Sequence, residues 1–178
     1  MTAEEIANFF ETDTFSVTFS PRGLQYLSLK SKKGTRLIEL MLIEKHGPDP
    51  ESKLIIDETR NFLQTGRHKM PLDLTAFTDF QQSVFRAVGE IEPGTVAFYG
   101  DVAAAIGNPG AARAVGSTVT KNPVSFFLPT HRVLPRKGIA ICRTGAGHLR
   151  EKLLAHEGHD LSKLRGNYIC TRKKSCLE

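Results

Sequence analysis

Between Asn122 and Val133 the chain reads Asn-Pro-Val-Ser-Phe-Phe-Leu-Pro-Thr-His-Arg-Val, and this stretch restricts the fold more than any other. A proline near each end fixes φ and removes a backbone donor, so the backbone is pinned at both sides. Between them lies an apolar run, Val124 to Leu128, broken only by Ser125. A run of this length with such flanks predicts a short buried strand. Directly after Pro129 come a hydroxyl, an imidazole and a guanidinium, on Thr130, His131 and Arg132. A Thr-His pair on its own most often only satisfies loop backbone. Three polar groups at the mouth of a buried segment still mark a place to look for chemistry.

The rest of the composition bounds that chemistry. With 178 residues, 40% hydrophobic and 24% charged, the chain has enough apolar surface for one ordinary domain or two small ones. No run approaches the roughly 18–20 apolar residues of a membrane span. Glu4 and Glu5 interrupt any signal-peptide pattern, so a cytoplasmic, nucleoid-associated monomer is expected. Cys142, Cys170 and Cys176 are odd in number and lack CxxC spacing, which points to neither a disulfide framework nor a zinc site. No metal or cofactor is expected. Residues 1–78 hold 10 Lys/Arg against 11 Asp/Glu, and residues 79–178 hold 14 against 8. The positive charge therefore sits in the C-terminal half, as it would in a half that meets a polyanion such as nucleic acid.

Periodicity divides the chain at the same place. Residues 1–77 read as a small α/β scaffold domain. An amphipathic opener at Ala3–Phe10 precedes strands at Thr14–Ser20 and Leu24–Lys30, then a central strand at Arg36–Glu44. A helix follows at Glu51–Gln64, with Leu54, Ile55, Phe62 and Leu63 on its apolar face and Gly66 as its cap, and a last strand at Pro71–Leu74. Residues 78–178 read as a mainly α domain. Thr78 and Gln81 form a capping box for a helix to about Glu90, and short helices at Tyr99–Ile106 and Ala111–Lys121 flank Gly107-Asn108-Pro109-Gly110. That pair predicts a helix-turn-helix. Its second helix is stripped to Ala111, Ala112, Ala114, Gly116 and Ser117 around one long side chain, Arg113. Close helix packing and close approach to a DNA groove both explain such a face. Ile139–Arg143 reads as a wing strand, His148–His156 as a final helix, and the basic stretch from Lys163 onward as a tail.

The chain resembles the O6-alkylguanine-DNA alkyltransferases. The resemblance rests on Phe80-Gln81-Gln82, Pro93-Gly94, Tyr99-Gly100, Gly107-Asn108-Pro109, Ala112-Arg113-Ala114-Val115-Gly116, Asn122-Pro123, Pro129-Thr130-His131-Arg132-Val133, Leu153-Leu154 and Glu157. It implies a ribonuclease-H-like N-terminal α/β domain and a C-terminal winged-helix domain that docks in the minor groove of double-stranded DNA and flips out an O6-alkylguanine. By position, Arg113 resembles the finger that fills the vacated stack and Tyr99 the residue that helps rotate the nucleotide. Ala112, Gly116 and Arg132 fall among the DNA-binding positions. Asn122 resembles the hinge, His131 and Glu157 the relay that deprotonates the nucleophile, and Pro129, Arg143, Thr144 and Gly145 the lesion pocket and its lid. Arg143 stands where a tyrosine is usual in the family.

Within the Asn122–Val133 stretch one position departs from the pattern: the family's Pro-Cys-His-Arg reads Pro-Thr-His-Arg here. A thiol with pKa near 8.5 becomes thiolate beside a His-Glu relay, whereas a hydroxyl does not ionise appreciably near neutral pH. Thr130 is also β-branched, which restricts its approach to an alkyl carbon. The expectation is a DNA repair protein that binds O6-alkylguanine without accepting the alkyl group. The related alkyltransferase-like proteins, which lack the cysteine and pass lesions to excision-repair proteins, are similar in this. Two alternatives stand beside it: an active methylated-DNA–protein-cysteine methyltransferase carrying a Cys-to-Thr substitution, and a winged-helix module without lesion specificity. Cys142, beside Arg143 in the lid, is an alternative acceptor.

Overall fold

Local signals in the sequence set most element ends in the computed structural model, which describes residues 2–12, 14–29, 36–39, 49–141 and 146–169. The chain forms two units, Met1–Ala76 with Pro123–Phe127, and Phe77–Asn122 with Leu128–Glu178.

In the first unit, helix α1 (Ala3–Phe10) starts at a reciprocal cap. The Thr2 hydroxyl accepts from the Glu5 N–H at 3.1 Å, and the Glu5 carboxylate accepts from the Thr2 N–H at 2.8 Å. Alternation produces β1 (Thr14–Ser20), which turns into β2 (Gly23–Ser28). β1 is antiparallel both to β2 and to β3 (Arg36–Glu39), in the order β2-β1-β3, with Val17 opposite Leu27 and Phe15 opposite Ile38. The strand expected to be central at Arg36–Glu44 is thus, over its described part, a neighbour of β1 alone. β1 takes the centre because both of its edges are hydrogen-bonded.

Helix α2 (Pro50–Thr65) is capped by Asp49, whose carboxylate accepts from the Ser52 N–H at 3.1 Å, and ends at Gly66 with φ 71°. Ile55, Ile56, Phe62 and Leu63 face inward, while Leu54, expected on that face, is 40% exposed. Pro71–Leu74 makes one parallel bridge, Leu24 to Leu72, instead of a strand, because Pro71 contributes only its carbonyl. That carbonyl fixes Gly23: at φ 138° a Cβ there would lie 2.3 Å from Pro71 O. Asp73 is 5% exposed and closes the turn. It accepts from the Ser20 hydroxyl, the Gln25 amide (3.1 Å), and the Thr75 N–H (3.0 Å) and hydroxyl (2.6 Å).

Val124–Leu128 is buried as expected but is not a strand. Ser125 adopts φ 44°, and Ser125–Phe127 forms a 3₁₀ turn in which the Phe127 N–H reaches Val124 O at 3.1 Å. The outer edge of β2 is met piecemeal. Leu27 donates to Pro123 O at 2.8 Å, and the Ser125 hydroxyl, doing the work of a backbone N–H, donates to Leu27 O at 2.7 Å. The turn drives Phe126 into a ring cluster with Phe10 (stacked, 4.6 Å), Phe62 (5.3 Å) and Phe127 (4.7 Å). Full burial of a side chain of this size stabilises by about 2–3 kcal/mol. His68 Nε2 donates to Phe127 O at 2.6 Å.

The second unit opens with α3 (Asp79–Gly89), whose Thr78–Gln81 capping box forms as the sequence predicts. α4 (Tyr99–Ala105) and α5 (Ala112–Val119) pack on it through Val84, Val88, Val102, Ala103, Val115 and Val119. Between them Gly107 adopts φ 75° and the Asn108 N–H returns to Ala103 O at 2.9 Å, which turns the chain tightly enough for the two helices to meet. Two-residue strands β4 (Ala97–Phe98) and β5 (Val133–Leu134) pair in parallel. β6 (Ile139–Ile141) is followed by α6 (Ala146–His156), α7 (Leu161–Leu164) and β7 (Arg165–Ile169), and β6 pairs in parallel with β7. The basic stretch after Lys163, read from composition as a tail, is therefore a strand as far as Ile169.

Candidate functional site

Pro129 is buried and sends the chain into a second 3₁₀ turn, Thr130–Arg132, closed by the Arg132 N–H on Pro129 O at 3.0 Å. The turn points two adjacent polar side chains inward, leaving His131 4% and Arg132 2% exposed. Both meet Glu157, the residue after α6, whose own N–H bonds Leu153 O and so holds the carboxylate under the turn. His131 Nε2 donates to Glu157 Oε1 at 2.9 Å. Arg132 donates from Nε at 3.0 and 3.1 Å and from Nη2 at 2.7 Å, and its Nη1 reaches Ile91 O at 2.7 Å. The Gly94 N–H adds a long contact to Oε2 at 3.4 Å.

Charge states follow from this packing. Burial pushes the Glu157 carboxyl up, but hydrogen bonds from His131 and Arg132, with the Arg132 charge, outweigh it and bring the carboxyl to about 2. For His131 burial wins over the bond to Glu157, and its pKa is lowered. At neutral pH the group is an ionised carboxylate, a guanidinium and a neutral imidazole. Because Nε2 donates to the carboxylate, Nδ1 is the acceptor nitrogen.

Thr130, by contrast, is half-exposed. Asn122 sets its position: Nδ2 donates to Leu128 O at 2.9 Å and to Thr130 Oγ1 at 3.0 Å. The turn thus sets a partly exposed hydroxyl-bearing residue directly before two buried polar side chains.

α5 presents Arg113, Ala114 and Ser117 exposed, with Ala112 and Gly116 half-buried. A Cβ at Gly116 would lie 3.3 Å from Cδ2 and Cε2 of Tyr99, so the glycine lets that ring rest on the helix backbone. The sequence alone showed a small residue there without showing what approaches it. Arg113, Lys121, Arg136 and Lys137 are exposed cations of this unit. Arg136 lies 5.2 Å over the Phe98 ring and 3.5 Å from Asp101, which itself accepts from the Phe98 N–H at 2.9 Å. Neither contact carried a sequence signal.

Arg132 is a correction. Expected among the DNA-binding residues, it is buried with its guanidinium committed to Glu157 and Ile91 O, leaving no surface to offer a phosphate. Cys142, Arg143, Thr144 and Gly145 lie outside the described residues. Among the described residues, no group of three His, Cys, Asp or Glu side chains is placed to hold a metal ion, and no helix is long and apolar enough to cross a membrane.

Residues 79–159 match the family model described as "6-O-methylguanine DNA methyltransferase, DNA binding domain". The whole fold is similar to the O6-methylguanine methyltransferase of Mycobacterium tuberculosis, with 30% identity, 84% of this chain and 97% of that one covered, and a TM-score of 0.59. This chain belongs to the alkylguanine-DNA alkyltransferase family. The same bacterium's OGT in complex with DNA is similar at 29% identity, over 85% of this chain and 88% of that one, with a TM-score of 0.61. Among sequences, the methylated-DNA–protein-cysteine methyltransferase of Salmonella typhimurium is 45% identical over 48% of this chain and 50% of its own length. The human protein of that name is 41% identical over 47% of this chain and 40% of its own length. The chain thus spans about half the length of the curated relatives it matches, and the family-model match, residues 79–159, contains α5, His131, Arg132 and Glu157.

Proposed function

We propose that this alkyltransferase-family chain binds O6-alkylguanine in double-stranded DNA without taking over the alkyl group. One observation carries the reading: the cluster of His131, Arg132 and Glu157 is buried and hydrogen-bonded, yet the residue directly before His131, Thr130, carries a hydroxyl. Dealkylation needs a soft nucleophile in line with the alkyl carbon. A neutral imidazole beside a carboxylate can take a proton from a thiol of pKa near 8.5, but it cannot hold an alkoxide at neutral pH. A site that keeps the relay and lacks the thiol can still accept the base.

In this reading α5 enters the minor groove and the exposed Arg113 fills the gap left by the extruded guanine. Its planar cation offsets part of the few kcal/mol that extrusion costs. Tyr99, held against Gly116, steadies the rotated nucleotide. Residues 1–77 serve as scaffold and residues 78–178 as the DNA-binding domain. A bound lesion that is not repaired in place needs a further step, so excision-repair proteins are the partners expected to read the complex.

The test is equilibrium binding at fixed salt to two duplexes differing by one O6-methylguanine. Preference for the lesion by about tenfold or more supports the reading. Equal affinity would leave a DNA-binding module without lesion specificity.

A further inference from the structure

The hydrogen bonds around Thr130 determine which way its own hydrogen can point. Leu128 O can only accept, so the Asn122 atom 2.9 Å from it must be the amide nitrogen. The same nitrogen lies 3.0 Å from Thr130 Oγ1, so both amide hydrogens are spent and the hydroxyl oxygen is the acceptor of the second. The hydroxyl hydrogen is therefore turned away from Asn122, and among the described residues none accepts it. Thr130 is partly exposed while Pro129, His131 and Arg132 on either side are buried, so it is the residue of this turn that solvent or a ligand can reach.

We propose that Thr130 is a specificity-determining donor, selecting O6 adducts that carry a hydrogen-bond acceptor on the atom next to the carbon attached to O6. This inference rests on the lesion-binding reading above and names the ligand class of that site. A base seated as it would be for alkyl transfer brings its O6-bound carbon against residue 130. That carbon accepts no hydrogen bond, so a plain alkyl chain desolvates the hydroxyl hydrogen without replacing its water partner. A hydroxyl or carboxylate oxygen on the next atom lies within reach and satisfies it. A thiol at this position, a weak donor, would not discriminate in this way.

The test uses the full chain and duplexes carrying O6-(2-hydroxyethyl)guanine, the isosteric and equally neutral O6-propylguanine, or unmodified guanine, with affinities measured by fluorescence anisotropy at one salt concentration. The unsubstituted protein should bind the hydroxyethyl duplex about five- to tenfold tighter than the propyl duplex. Thr130→Val, which exchanges the hydroxyl for a methyl, should bring that ratio to about one, and Thr130→Ser, which keeps the donor, should restore it. A ratio of one in the unsubstituted protein overturns the inference whatever the variants do, as does a ratio that survives in Thr130→Val. If neither adduct is preferred over unmodified guanine, the lesion-binding reading itself has failed. If both are preferred equally, only the donor role of Thr130 has failed.

Discussion

Among the described residues, each unit buries one carboxylate side chain, and the two are held in opposite ways. Asp73 accepts only from neutral donors, two hydroxyls, an amide and a backbone N–H, and the hydrogen bonds from Ser20 and Thr75 hold its carboxyl well below the usual range. Glu157 accepts from a guanidinium and an imidazole, both nearly inaccessible. Both carboxyls are depressed, so a depressed carboxyl is no marker of a site by itself. The surroundings separate them. The Asp73 network closes the turn between β2 and residues 71–75, whereas the side chains on Glu157 belong to a turn whose first residue, Thr130, is partly exposed. One carboxylate is a fastening and the other holds the two buried side chains that follow Thr130.

Removing each carboxylate should widen that contrast. Glu157→Ala strands a buried guanidinium, and loss of one partner from such a pair costs about 3–5 kcal/mol, read as a lower midpoint in urea denaturation. Asp73→Asn keeps the shape and should lower the midpoint by much less. A larger loss at Asp73 would mean that the Glu157 pair is not the dominant buried polar group. Next in size, Arg113→Ala should weaken binding to lesion DNA roughly tenfold while leaving the denaturation midpoint in place, since the side chain is exposed. Unchanged affinity would move the DNA contact off α5.

Acid should distinguish the two networks as well. His131 has a lowered pKa in the fold, so its unfolded form binds the proton first, and stability falls as pH drops below about 6.5. Glu157 and Asp73 are depressed carboxyls, whose contribution is complete above about pH 4 and is lost as pH falls through their folded values. His131→Asn should flatten the first decline and leave the second. A first decline that persists unchanged in this variant would show that other histidines produce it. The smallest effect belongs to Gly116→Ala. Alanine favours the helix by up to about 1 kcal/mol, but its Cβ would stand 3.3 Å from a Tyr99 ring that can shift a little. A midpoint change equivalent to less than about 1 kcal/mol is expected, with weaker lesion binding because Tyr99 is displaced.

Elements governed by neighbouring residues were legible in the sequence. The Thr78–Gln81 box, the Gly66 cap and the β1 strand all depend on side chains within a few positions, and all formed, although Ser16 is buried with Phe15 and Val17 where strict alternation would expose it. Errors arose where long-range pairing decides. Val124–Leu128 has the composition of a buried strand, but Pro123 lacks an N–H and Ser125 turns left-handed, so β2 meets this segment through a carbonyl and a hydroxyl. The stretch from Arg165 is basic in composition and becomes a strand because β6 offers it an edge. At the site, the family resemblance implied that His131 and Glu157 belong together, and they meet at 2.9 Å. Arg132 was misread because a charged residue gives no sign in sequence of whether its partner is a phosphate or a buried carboxylate 25 positions away.

The most direct measurement is the intact mass of the protein after incubation with a duplex containing one O6-methylguanine, for the unsubstituted chain and for Thr130→Cys. If the relay and base pocket are complete and only the acceptor is missing, the unsubstituted chain keeps its mass and Thr130→Cys gains one methyl group, located on residue 130 by peptide mapping. A methyl group gained by the unsubstituted chain, on Thr130 or on Cys142, would contradict that reading. A folded Thr130→Cys protein that binds the lesion and gains nothing would contradict it equally, by showing that more than the acceptor has been lost.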